Sequence, residues 1–282
     1  MTALFALSSA LLIGAADFLG GLVSRRVPSA VVACLGQGLG LLLGVPLALL
    51  WGWDALHARD VGLSLASGVG VGLGIVCFYA AMAAGTVSIV APVTAVTGAV
   101  IPVSVGLARG ERPGAAAVAG IGLALVAVTV VSLAPGEARA DGARGDGARV
   151  LLLALTAGVS FGAFFVLFAE IDEDAGMWPL PLQRVASTVL LLGLVLATGA
   201  SLRTARSAAR AAVAIAALEV TATVFVLLAV QRGPLAVASV LASLYPVTTV
   251  LLAGLVLRER LTRLQLSGVG LALVAVVLVS AP

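Results

Sequence analysis

The sequence predicts an all-α integral membrane protein with ten transmembrane helices, arranged as two inverted five-helix repeats. Three observations carry this. The first is composition: 61% of the 282 residues are hydrophobic, 10% are charged, and the mean hydropathy is +1.20. Soluble domains average about 25% charged residues, and a water-soluble fold could not hide so much apolar surface, so the solvent is a bilayer. The second is that the apolar residues fall into ten runs, each near the roughly 20 residues that a spanning helix needs. The third is internal repetition at an offset of 148: Gly14-Ala15 falls on Gly162-Ala163, Gly85 on Gly233, Gly106 on Gly254, Glu111 on Glu259, Arg112 on Arg260 and Gly120 on Gly268. Gly122–Val128 returns letter for letter as Gly270–Val276.

The ten runs, in order, are Ala3–Val23, Ser29–Leu50, Val61–Ala84, Ser88–Leu107, Gly114–Leu133, Val150–Ala169, Leu180–Gly199, Ala211–Val230, Leu235–Leu257 and Gln265–Ala281. The first lacks a basic leading segment and is long, which predicts a retained span rather than a cleaved signal peptide. The runs are continuously apolar, whereas barrel strands alternate, so helices are predicted throughout. Trp51, Trp53 and Trp178 sit at run ends, as interfacial aromatics do. Pro92, Pro102 and Pro246 fall inside runs, where each removes a backbone donor and can bend its helix.

Residues 1–134 form the first predicted repeat, 135–149 a flexible linker rich in Gly, Ala, Asp and Arg, and 150–282 the second repeat. Five spans per half is an odd number, so two homologous halves must enter the membrane in opposite senses. The Glu111 and Glu259 connections therefore face opposite sides. Counting connections along the chain, the odd-numbered ones hold eleven arginines and the even-numbered ones four. The positive-inside rule places the odd face in the cytoplasm.

Acidic residues are rare within the runs. Asp17 and Glu219 are the two that lie well inside, and an ionised group there costs about 2.5–3.5 kcal/mol on insertion scales, so each must face protein, water or a partner. Counting helical rise from the odd face puts Asp17 roughly 9 Å deep, and Glu219 and Gln37 roughly 12 Å deep. Ser160 and Tyr245 lie at similar or greater depth, with Thr94 and Thr97. Asp17, Gln37, Glu219, Tyr245, Ser160 and Arg184 are the candidate substrate- or proton-binding residues, with Glu219 favoured over Asp17. Arg184 follows Pro179 and Pro181, and counting puts it roughly 6 Å from the even face, far from the Asp17 layer. Snorkelling to the interface is one reading of it; binding a substrate carboxylate is another. Glu111 and Glu259 each precede a helix start beside an arginine, which predicts helix-terminus electrostatics and local pairing. Phe161, Phe164 and Phe165 are candidate cavity-wall residues.

Other chemistries are poorly served. Cys34 and Cys77 lie in separate runs and His57 is the single histidine, so no metal site, haem site or other cofactor is expected. No P-loop motif occurs, and the arginines form no stripe for nucleic acid.

Pro246 is followed thirteen positions later by Glu259 in YPVTTVLLAGLVLRERL, and Gly268 lies in the next run. The first half repeats this plan with Gly98 in place of the proline, and Gly14 and Gly162 echo each other. In these residues the chain resembles an EamA-type member of the drug/metabolite transporter superfamily, with two tandem EamA repeats. The resemblance implies ten helices, a cavity between the halves, and export or import of a small metabolite or drug. It also implies cytoplasmic termini, and hence the even face in the cytoplasm, against the arginine count. The expected function is a secondary active transporter or permease working by alternating access, with protons as a candidate coupling ion and no enzymatic activity. The expected setting is a bacterial inner membrane, with the lipid bilayer and a small-molecule substrate as partners and a monomer or weak homodimer as the assembly. A membrane-embedded enzyme acting on lipid and a non-transporting membrane protein are the alternatives.

Overall fold

The computed structural model describes residues 1–24, 26–53, 55–84, 87–133, 147–200, 205–256 and 262–280. Arg25, Gly85, most of the expected linker, Arg203, and the Arg258–Arg260 segment with Glu259 lie outside the described residues. Among the described residues the chain is helical with no strand. The helices are α1 (Thr2–Ser24), α2 (Ser29–Trp51), α3 (Ala58–Ala84), α4 (Val87–Ala108), α5 (Ala115–Leu133), α6 (Gly147–Phe168), α7 (Pro179–Thr198), α8 (Ala205–Gln231), α9 (Leu235–Ala242), α10 (Tyr245–Val256) and α11 (Arg263–Ser280). Six are long and apolar enough to cross a membrane, and four shorter apolar helical stretches accompany them, so ten runs are accounted for. Large side chains such as Leu42, Leu152, Val189, Leu196 and Val277 are exposed on the outer faces, where lipid is the solvent.

The ninth run is two helices rather than one. Pro246 has no N–H to offer the carbonyl of Ala242, four residues earlier. The chain instead closes short bonds, from Leu244 N to Leu241 O (3.3 Å) and from Val247 N to Leu244 O (3.0 Å), before α10 resumes. Pro92 and Pro102 lie within α4, which stays continuous.

The packing pairs come in matched sets. If the first five runs correspond in order to the last five, α3 on α6 matches α8 on α1, and α4 on α6 matches α9 and α10 on α1. Likewise α3 on α7 matches α8 on α2, while α2 on α7 and α5 on α11 match themselves. Two equivalent glycines hold two equivalent crossings. A Cβ on Gly14 would sit 2.5 Å from the Tyr245 carbonyl oxygen on α10, and one on Gly162 would sit 2.8 Å from Ile101 Cβ on α4. Thr249 Oγ1 then donates to the Gly14 carbonyl at 3.1 Å, a bond open only to a close crossing.

The core is continuous at one end of the bundle and divided at the other. Toward the even-numbered connections, one cluster runs from Ala6 and Ala48 through Phe168, Met177 and Leu180 to Leu227 and Leu235. Toward the odd-numbered connections, two separate clusters are described. One joins α1, α2, α7 and α8 through Ala16, Val31, Val195 and Ile215; the other joins α3, α4 and α6 through Cys77, Val90 and Ala154.

A candidate solute site between two helix groups

A cavity of about 140 Å³ lies between these groups. Asp17, Gln37, Gln183, Arg184, Glu219 and Thr223 line one wall, from α1, α2, α7 and α8. Val71, Ile75, Phe78, Ala95, Gly98, Phe161, Phe164 and Phe165 line the other, from α3, α4 and α6. Thr94 is on that wall too, but its hydroxyl donates to the Ala154 carbonyl at 3.2 Å. Ala242, Ser243 and Tyr245 bring the break between α9 and α10 to the same space.

The polar wall is held by one connected network. Arg184 Nη1 donates to Glu219 Oε2 (3.3 Å) and to Gln37 Oε1 (3.2 Å), and Nη2 donates to Thr223 Oγ1 (3.4 Å). Gln37 Nε2 donates to Glu219 Oε2 at 2.8 Å, and Ser187 Oγ donates to Gln37 Oε1 at 2.9 Å. The Arg184 side chain is 1% exposed and that of Glu219 21%. A charge so deeply buried persists only when paired and hydrogen-bonded, and this network supplies both conditions. Gly40 provides the room: a Cβ there would lie 2.5 Å from Arg184 Nη1 and 2.8 Å from Cζ.

Asp17 differs. It lines the cavity within electrostatic reach of Glu219 and Tyr245, yet among the described residues no side chain or backbone group pairs with its carboxylate.

Five of the six residues expected from sequence, Asp17, Gln37, Arg184, Glu219 and Tyr245, therefore line one cavity. Ser160 does not: it is buried on α6 where that helix crosses Gly70 of α3. The expectation that Arg184 lies near the even face, away from the acids, is corrected. The segment before α7 folds inward as a short 3-10 turn with Ala175 and Met177 buried, so α7 begins below the surface. The length of the arginine side chain covers the remaining distance. Gln183, Ser187 and Gly40 were missed. Their signal was a small residue three positions after a buried polar one, in Gln37–Gly40 and Arg184–Ser187.

The expectation for Glu111 is also corrected. Its carboxylate does not serve the helix that follows it. It accepts from the backbone N–H groups of Leu235 (2.7 Å) and Ala236 (3.1 Å), capping α9 in the other half. Its counterpart Glu259 lies outside the described residues. The even face carries further contacts between the halves: Arg59 with Glu170 (3.1 Å), Arg109 with Glu170, Thr2 Oγ1 to the Arg232 carbonyl (3.0 Å), and Trp53 edge-to-face on Trp178.

Residues 148–281 match the EamA-like transporter family. This match places the chain in the drug/metabolite transporter superfamily. It covers the second half of the chain. A solved structure named only "Crystal structure of protein" is similar at a TM-score of 0.76 and 18% identity, over 99% of this chain and 96% of its own, and shows the fold. No curated protein matches. This EamA-like transporter is thus a multi-pass membrane protein of a transporter family.

Proposed function

We propose that the chain is a secondary active transporter that moves a small organic solute by alternating access, with two inverted five-helix repeats (residues 1–134 and 150–282) as its moving architecture. The observation that carries this is the divided core. The α1, α2, α7, α8 group and the α3, α4, α6 group share one apolar cluster at the even face and form separate clusters at the odd face, with the charged cavity between them. That is the geometry of a site reached from one side.

Exchanging the roles of the halves gives the opposite state. The odd-face group of α1, α2, α7 and α8 maps onto the even-face ends of α6, α7, α2 and α3. The contacts of Arg59 with Glu170, Trp53 with Trp178, and Asp172 N with Asp60 Oδ1 (3.3 Å) all fall inside that mapped group. The other odd-face group maps onto the ends of α8, α9 and α1. There Phe5 stacks on Phe225 with centroids 5.9 Å apart, and Thr2 holds Arg232. Arg109 with Glu170 joins the ends of α4 and α6, two helices that also meet at Gly162 and Ile101. Opening of the even face leaves the pairs inside each packed group intact.

Asp17 is the candidate carrier of a coupled proton, ahead of Glu219, because Glu219 is already engaged by Arg184 and Gln37. The test is gradient-driven flux in proteoliposomes. Accumulation of a small organic solute driven by a proton gradient, lost in Asp17→Asn, supports the reading. A chain that binds solutes but never equilibrates them across the bilayer, or that passes single-channel currents, overturns it.

A further inference from the structure

We infer that the cavity is built for a small organic ammonium ion carrying one ring or a short branched apolar group, and discriminates against the corresponding amino acid. The inference rests on the transporter reading above and names its substrate class.

The first argument is charge. Two carboxylates, Asp17 and Glu219, and one guanidinium, Arg184, line the cavity. Arg184 is committed: its two terminal nitrogens donate to Glu219, Gln37 and Thr223. Its Nε is buried without a partner and lies against Gly40, where a Cβ would be 3.0 Å away. A solute carboxylate would meet a guanidinium whose charge is already balanced by Glu219 and whose terminal nitrogens already hold three acceptors. Asp17 is the acid without a partner; in so apolar a setting its carboxyl either carries a proton or acquires a counter-charge, and an ammonium ion supplies the second. The position left to fill is cationic.

The second argument is shape. The charged wall faces an aromatic one. Phe78 and Phe161 meet edge to face with centroids 6.4 Å apart, and Phe164 and Phe165 with centroids 5.2 Å apart. Aromatic faces attract a desolvated ammonium and also pack a ring. The cavity, at about 140 Å³, is near the size that holds a single benzene ring, about 150 Å³. One ring and one charge fill it.

The third argument is asymmetry. At the 148-residue offset Asp17 corresponds to Phe165, Glu219 to Val71 and Arg184 to Gly36. In two of these pairs, Asp17 with Phe165 and Glu219 with Val71, a charge on one wall answers an apolar residue on the other, which suits a solute with two unlike ends.

The experiment compares three probes of one skeleton at pH 7 on purified protein: 2-phenylethylamine, 2-phenylethanol and phenylalanine. Binding is read from the rise in Tm with probe concentration and from calorimetry. The amine is expected to bind at least tenfold more tightly than the alcohol or the amino acid. In Asp17→Asn that preference is expected to disappear while the alcohol binds as before. Phe161→Ala is expected to weaken the amine and the alcohol together. Equal binding of amine and alcohol, tighter binding of phenylalanine, no binding of any probe, or an unchanged amine preference in Asp17→Asn overturns the inference. The wild-type comparison decides even where a variant fails to fold. Proteoliposome flux of the same probes separates the two readings. Transport without amine preference sinks the substrate class alone, whereas amine-selective binding without transport sinks the transporter reading alone.

Discussion

The two walls of the cavity come from different helix groups, α1, α2, α7 and α8 against α3, α4 and α6; one is a hydrogen-bonded charge network and the other is phenylalanine and small aliphatics. The packing pairs match when the ten runs are laid five on five. Cavity-facing side chains differ between positions 148 apart, as Asp17 and Phe165 do, while Gly14 and Gly162 at the crossings are the same. The charged wall is a buried, mutually dependent unit, whereas the even-face ion pairs are exposed and centre on the single carboxylate of Glu170.

Breaking the charged wall has the largest expected effect. Glu219→Leu leaves Arg184 buried without a counter-charge and should cost about 3–5 kcal/mol, read as a fall in detergent Tm. The double variant Glu219→Leu with Arg184→Leu should recover much of that loss. Equal Tm for the single variant and the wild type would mean that the pair contributes nothing. Gly40→Ala should cost about 1–3 kcal/mol by overpacking, because its Cβ meets the guanidinium 2.5 Å away, and should impair transport as well. Glu111→Ala removes a helix cap and should cost about 1 kcal/mol. Its signature is faster hydrogen exchange confined to the first turn of α9, at Leu235 to Ser239. The smallest stability effect belongs to the exposed pairs: Arg109→Ala and Arg59→Ala should each change stability by about 0–1 kcal/mol. The two share Glu170, so their effects should not simply add. The double variant should lose less or more than the sum of the single variants, read as a double-mutant cycle on Tm. Strict additivity would mean that the shared carboxylate does not couple them.

Much of the fold was legible because lipid imposes simple rules: run length gives spans, and a fixed offset gives the repeat. The polar wall was legible in part. Asp17 and Glu219 stand out in apolar runs, and Gln37 shares their depth. Arg184 was misplaced because counting residues from a run end assumes that the helix starts at the surface, and the buried turn at Glu173–Ala175 breaks that assumption. Glu111 was read locally, since no pattern along the chain shows a carboxylate reaching backbone donors 124 positions away. Ser160 has the depth but not the azimuth: it is buried where α6 crosses Gly70 of α3, and periodicity alone does not say which flank of a helix meets the cavity.

That reach of Glu111 also bears on how the protein is made. The acid that receives the first two free amides of α9 is synthesised long before them and belongs to the earlier repeat. A later repeat inserted by itself would carry its short helix with an unanswered amino end, in surroundings where water is scarce. Co-expressing the two halves as separate chains should therefore restore what neither gives alone, and the order of translation becomes an ingredient of assembly.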